Sequence, residues 1–303
     1  MKTIYEETTK LSPKINYSKM IYIKDNIFWG IFSEFIKIYK FDGHSFKYIT
    51  TMSPTNNPSD GIEFVKKLDF SGNIVFKERN TRDLYFIKYN ENSKKKCDLL
   101  LIMNKKGNIK DIIDNKNGNI IIAITKKKGI LKICKKTNIF NYLAIHIQIN
   151  KLYNISNLLF LASGDYDNII FETENYTIIK TIMTGEYIGN IKDKFVVLKD
   201  NNSLYLYSLK FFELFHIINT DNIITEKIIN NYLFQVYKED SNKLKIVKKG
   251  LNYKKGIFDD CEILEKNLKG EEEIKLLNIG NQFLALIQNT NGNKFIFISL
   301  IKI

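Results

Sequence analysis

The chain has 303 residues, 44% of them hydrophobic and 26% charged, enough to bury one large core or two smaller ones. It holds 50 Ile, 44 Lys and 35 Asn against 4 Ala, 3 Pro and 2 Arg, Arg79 and Arg82. Scarce Ala and abundant β-branched Ile disfavour an all-helical fold, and the composition excludes collagen-like, proline-rich and disulfide-scaffold classes. The net charge of +13 points to anionic partners such as nucleic acid or a membrane surface. Lys, Asn and Ile also share A/T-rich codons, and 22 Lys for each Arg is a poor profile for bidentate phosphate recognition. A biased genome is therefore read as one source of the lysine excess.

The opening stretch MKTIYEETTK has no apolar core after its Lys and does not read as a secretory signal. No run reaches 18 apolar residues, so no transmembrane helix is expected. Cys97, Cys134 and Cys261 are odd in number and far apart, which fits a reducing compartment. The expected location is intracellular, in the cytoplasm or the nucleus.

In chain order, short apolar or alternating stretches follow one another: Lys2–Glu6, Ile21–Ile27, Phe35–Phe41, Leu84–Tyr89, Ile120–Ile124, Ile130–Cys134, Leu158–Ala162, Ile169–Phe171, Phe195–Leu198, Leu204–Leu209, Leu244–Val247, Phe283–Ile287 and Phe295–Ile301. Apart from Lys2–Glu6, these stretches are bounded by turn-forming Gly, Asn, Asp or Ser. No segment has helical periodicity with caps, and Ile223–Asn231 and Glu262–Leu268 read as loop or strand. Many short strands with regular turns predict an all-β sandwich, barrel or propeller.

A repeating unit favours the propeller. Its cleanest copy runs from Leu158 to Ile182, with Ser163-Gly164-Asp165-Tyr166-Asp167-Asn168 as its first turn. Further copies span Ile27–Thr50, Asn119–Ile145 and Phe195–Ile218. Third-strand centres at Tyr39, Ile87, Ile133, Phe171, Tyr207, Ile246 and Phe297 are separated by 43 residues on average, the length of a four-stranded blade. The expectation is one seven-bladed domain over 1–303. Its approximate blades are 20–51, 61–103, 109–149, 150–184, 185–220, 221–262 and 274–303, with the N-terminal strand 2–6 closing the last. A pair of sandwiches and a six-bladed ring are the alternatives.

The unit resembles a WD40 blade. Ser163, Gly164 and Asp167 match the family's Ser-Gly-Ser-x-Asp turn, and Phe171-Glu172 stands where Trp-Asp would be. Gly43-His44 has the letters of the family's dyad but follows a third strand. The resemblance implies a structural, turn-stabilising role for Ser163, Gly164 and Asp167.

Chemistry is sparse. His44, His146 and His216 lie apart from one another and from every Cys, so no zinc site is expected. Cys134 reads as a buried small hydrophobe. No phosphate-loop motif occurs, and Gly185 and Gly189 read as turn glycines. The Asn-Gly pairs of Asp114–Asn119 and Asn289–Asn293 read as hairpin turns instead of calcium loops. Asp259-Asp260 and Glu271–Glu273 read as a long insertion before the last blade. No metal, cofactor or catalytic residue is expected.

The charge is concentrated. Residues 94–136 hold 13 Lys and 3 Asp. The runs Lys94, Lys95 and Lys96; Lys105 and Lys106; Lys126, Lys127 and Lys128; and Lys135 and Lys136 are candidates for binding RNA, phosphoinositide or an acidic protein segment. Few aromatics accompany them, so stacking on bases is not indicated. The resulting expectation is a non-catalytic interaction scaffold bound to other protein subunits, with no homo-oligomer indicated. The alternative is an RNA- or ribonucleoprotein-associated propeller. A propeller hydrolase is disfavoured because strands taken as innermost, such as Phe195–Leu198 and Leu158–Ala162, are apolar.

Overall fold

A computed structural model describes residues 1–10, 20–42, 45–55, 60–104, 109–124, 129–134, 140–145, 147–183, 185–239, 243–267, 273–279, 283–289 and 295–302. Among the described residues, twenty-eight strands form seven antiparallel four-stranded sheets. β1 (Lys2–Lys10) belongs to the last of them. The first sheet is β2 (Met20–Lys24), β3 (Ile27–Ile31), β4 (Ile36–Phe41) and β5 (Phe46–Met52). The second is β6 (Ile62–Lys67), β7 (Ile74–Glu78), β8 (Leu84–Tyr89) and β9 (Cys97–Met103), and the third β10 (Ile109–Asp114), β11 (Ile120–Ile124), β12 (Gly129–Ile133) and β13 (Phe140–Ala144). The fourth is β14 (Ile149–Asn154), β15 (Leu159–Gly164), β16 (Asn168–Glu172) and β17 (Ile178–Ile182), and the fifth β18 (Glu186–Ile191), β19 (Phe195–Asp200), β20 (Ser203–Ser208) and β21 (Glu213–Asn219). The sixth is β22 (Ile223–Ile229), β23 (Tyr232–Lys238), β24 (Lys243–Asn252) and β25 (Ile257–Asn267). β26 (Glu273–Ile279), β27 (Phe283–Asn289) and β28 (Phe295–Lys302) make the seventh, and β1 pairs along β28 to complete it. Seven such meanders, with the N-terminal strand finishing the last, are a seven-bladed β-propeller. The spacing centres Tyr39, Ile87, Ile133, Phe171, Tyr207, Ile246 and Phe297 all fall in third strands.

Chain contacts divide the protein into two compact units. The first comprises Met1–Gly30, Tyr39–Ile49 and Glu186–Ile303, and the second Ile31–Ile38 and Thr50–Gly185. The core of the first includes Phe28, Tyr39, Phe41, Ala285 and Leu300, and separately Val197, Leu204, Leu206 and Leu233. That of the second includes Ile113, Ile121, Phe160, Phe171 and, in another cluster, Val75, Leu84, Ile112 and Ile122. Residue choice follows strand position. Second strands are buried on both faces and read as continuous apolar runs, as in Ile120–Ile124. Outer strands are half exposed, as in Glu213–Asn219.

This ordering corrects the reasoning about innermost strands. Phe195–Leu198 and Leu158–Ala162 lie in or beside β19 and β15, which are second strands with neighbours on both sides. The first strands are where adjacent sheets approach each other: β10 meets β14 in one unit, and β18 meets β22 in the other. These strands are not apolar. They carry Glu63, Lys66, Asp111, Lys151, Glu186 and Glu226. Six of the seven first strands contain a register slip that adds one residue, and such a bulge re-aims the side chain it inserts.

Three smaller expectations also change. Asp259 and Asp260 are part of β25, and the wide last spacing comes from the 10- and 11-residue strands β24 and β25. Gly185 lies between strands, but Gly189 is inside β18, where a Cβ would stand 2.6 Å from the Cβ of Ile228. Cys134 is only half buried, one residue past the end of β12. The Asp114–Asn119 segment does close a hairpin: Asn115 Oδ1 accepts from the backbone N–H of Asn117 and Asn119. Gly43, His44, His146 and most of Asn289–Asn293 lie outside the described residues.

Candidate functional site

Two kinds of polar cluster stand out, and they differ in accessibility. The first kind staples sheets. In the second unit, Asp111 Oδ1 accepts from Lys66 Nζ at 2.7 Å and from its neighbour's Ile112 N–H at 2.8 Å, while Oδ2 accepts from the Leu152 N–H at 2.9 Å. Asp114 accepts from the N–H groups of Phe70 and Ser71. Lys77 is almost fully buried, with its ammonium 2.7 Å from Glu63 and 3.2 Å from the Ile109 carbonyl. In the first unit, the buried Glu226 meets Lys199 at 2.8 Å and accepts from Gln235. The carboxylates of Asp111, Asp114 and Glu226 are buried and each joins one sheet to the next, a structural use, whereas Glu63 is exposed and pairs with Lys77 inside the second sheet.

The second kind is open. In the first unit a cavity of about 340 Å³ lies between the sixth and seventh sheets, lined by Glu6, Lys243, Glu265, Lys266, Asn267, Gln288 and Ser299. Cross-strand register places Glu6 of β1 opposite Ser299 of β28. Glu6 Oε1 accepts from Lys266 Nζ at 2.6 Å and from Ser299 Oγ at 3.3 Å. Gln288 is 2% exposed and donates to the Asn267 carbonyl. Lys243 and Glu265 lie 3.9 Å apart. The volume suits a small molecule, and the lining joins two carboxylates, two ammonium groups, a hydroxyl and amides. An ammonium group and a hydroxyl donor therefore converge on one carboxylate, that of Glu6.

Sequence reasoning missed this cavity. Its residues come from the two ends of the chain and from β24, β25 and β27. The expected pairing of the N-terminal strand with the last blade was the available signal, because it brings residue 6 to residue 299.

The lysine candidates are only partly placed. Lys94, Lys95 and Lys96 lie in the turn between β8 and β9, with Lys94 exposed and Lys96 Nζ donating to the Glu91 carbonyl. Lys105, Lys106, Lys126, Lys127, Lys128, Lys135 and Lys136 lie outside the described residues. Ser163 and Gly164 end β15, and the Gly164 N–H donates to the Asp167 carbonyl at 2.9 Å. A Cβ on Gly164 would stand 2.9 Å from the Gln148 carbonyl oxygen, so the turn has room only for glycine. Among the described residues, no group of three or more His, Cys, Asp or Glu could hold a metal ion, and no helix is long and apolar enough to cross a membrane.

No family model and no curated protein sequence matches the chain. Solved structures do. A streptogramin B lyase is similar over 98% of both chains, at 10% identity and a TM-score of 0.59. A virginiamycin B lyase from Staphylococcus aureus is similar over 98% of this chain and 99% of its own, at 13% identity and a TM-score of 0.58. The dihydro-heme d1 dehydrogenase NirN is similar over 80% of this chain at 9% identity and a TM-score of 0.57, and the match covers 55% of NirN. These likenesses are to the propeller fold and do not single out the WD40 family. They also correct the expectation of a non-catalytic scaffold that is not an enzyme: these three solved propellers bear the names of enzymes. Concentrated lysines and apolar strands taken as innermost carried that expectation, and neither speaks to chemistry between sheets.

Proposed function

We propose that the chain is an enzyme acting by elimination on a small polar molecule in the cavity between the sixth and seventh sheets. The observation that carries this reading is the Glu6 carboxylate held by Lys266 and Ser299 on the wall of an open polar cavity. Elimination needs a base to take a proton and a cation or donor to receive charge on the leaving group. Glu6 supplies the first, and Lys266 with Ser299 the second. The full-length likeness to two lyases supports the reaction class. The test is to incubate the purified chain with a streptogramin B, virginiamycin B included, and follow substrate loss by chromatography. The expected result is turnover that Glu6→Gln lowers about 10²–10⁴-fold. Full turnover by a folded Glu6→Gln variant would reject the site, and no turnover by the native chain would reject the substrate class.

The lysines of 94–136 carry a separate proposal, an anionic partner. It is supported by their charge density and by the exposure of Lys94. Replacing Lys94, Lys95 and Lys96 with Glu should shorten retention on a heparin column, and unchanged retention would reject their part in it.

A further inference from the structure

Three turns of the first unit meet at one end of the fifth and sixth sheets: Ile191–Phe195, Ser208–Glu213 and Asn252–Ile257. The Leu209 N–H donates to the Lys194 carbonyl at 2.8 Å, joining the first two. Phe195 joins the first and third, with its ring 6.0 Å from that of Tyr253. Gly256 packs against the ring of His216.

This cluster interleaves lysines with exposed rings. Lys192 and Lys194 hold their ammonium groups 5.1 and 5.6 Å from the Tyr253 ring centre. Lys210 lies 5.0 Å from the ring of Phe211, which is 65% exposed. Phe215 is also exposed and packs on Phe195. Lys254 and Lys255 follow Tyr253 directly and are exposed. No carboxylate among the described residues lies within ion-pair distance of these five lysines. Exposed rings gathered with cations that have no carboxylate partner mark an interaction surface. The ligand that matches both features has planar faces to stack and regularly spaced negative charge. The surface is open and spread over three turns, which suits a strand of several residues better than a single enclosed nucleotide.

We infer that this surface binds single-stranded nucleic acid, with bases on Phe211 and Tyr253 and phosphates at Lys192, Lys194, Lys210, Lys254 and Lys255. It is distinct from the 94–136 lysines and independent of the proposed activity. The test uses fluorescence anisotropy of the full chain with labelled 12-residue RNA and DNA strands at low and moderate salt. Binding is expected to weaken as salt rises. Phe211→Ala should weaken it about tenfold or more. Lys192→Glu with Lys194→Glu should weaken it further and flatten the salt slope by about 1.4. Lys180→Glu, an exposed lysine on β17 assigned to neither surface, should leave it unchanged. Phe211 is exposed, so its variant is expected to keep the native melting temperature, which is checked alongside. No binding at low salt, binding indifferent to Phe211→Ala, or equal binding of a base-free polyanion would each overturn the inference; the last outcome would point to an acidic partner instead.

Discussion

The ammonium of Lys66 lies 2.7 Å from the carboxylate of Asp111, and these two residues belong to first strands of different sheets. The pair is extended by the Leu152 N–H, which donates to the other carboxylate oxygen. One aspartate thereby connects the second, third and fourth sheets. Asp111 is nearly buried, and Lys66 is about one third exposed. Replacing Asp111 with Ala removes the acceptor of two buried N–H groups, those of Ile112 and Leu152, and leaves a lysine that can partly rehydrate. The expected loss is about 2–4 kcal/mol, read from denaturant midpoints at constant m. A loss below 1 kcal/mol would show that the staple is dispensable.

Acid should act through Glu262. Hydrogen bonds from Lys248, at 2.6 Å, and from the amino group of Met1 hold its carboxyl at about 2, below the ordinary 4.5. A folded value below the unfolded one stabilises the fold above about pH 4.5, and that contribution fades as pH falls toward 2. Glu262 is 40% exposed on its side chain, so solvent screening limits the effect to about 1 kcal/mol or less. Glu262→Gln should therefore be less stable than the native chain at pH 6, and the gap should close near pH 2. A gap that is constant with pH would contradict this assignment.

Gly189 is needed for a close approach between β18 and β22. A Cβ there would meet the Cβ of Ile228 at 2.6 Å. Gly189→Ala should cost about 1–3 kcal/mol or more, from overpacking and from a φ of 154° that an L side chain rarely adopts, seen as a lower melting temperature. Because the clashing atom is a Cβ, Ile228→Ala should not rescue it, whereas Ile228→Gly should relieve the contact. Rescue by alanine would place the strain elsewhere.

The cysteines should separate by reactivity. Cys97 is buried, and burial pushes its thiol up to about 11, which leaves little thiolate at neutral pH. Cys261 is exposed on β25. A thiol reagent applied to the native chain should label Cys261 rapidly and Cys97 only after unfolding, as read by peptide mass spectrometry. Equal labelling rates would mean that the second sheet opens readily.

What the sequence determined by itself is local. Alternation in a stretch such as Leu204–Leu209 and Asn-Gly at residues 117–118 are short-range signals for strand and turn, and their repetition set the blade length, the number of sheets and the role of β1. The tertiary structure decided everything that depends on residues far apart in the chain. Phe195–Leu198 is apolar because it has strands on both sides, a fact about neighbours that its own letters do not carry. Lys66 and Asp111 look like two ordinary surface charges until two sheets bring them to 2.7 Å. Glu6 and Ser299 share a cavity only because the chain's ends pair in one sheet. Lys192, Phe211 and Tyr253 form one surface only because three turns close on each other, and so the net charge of +13 has an arrangement beyond the 94–136 stretch where counting alone located it.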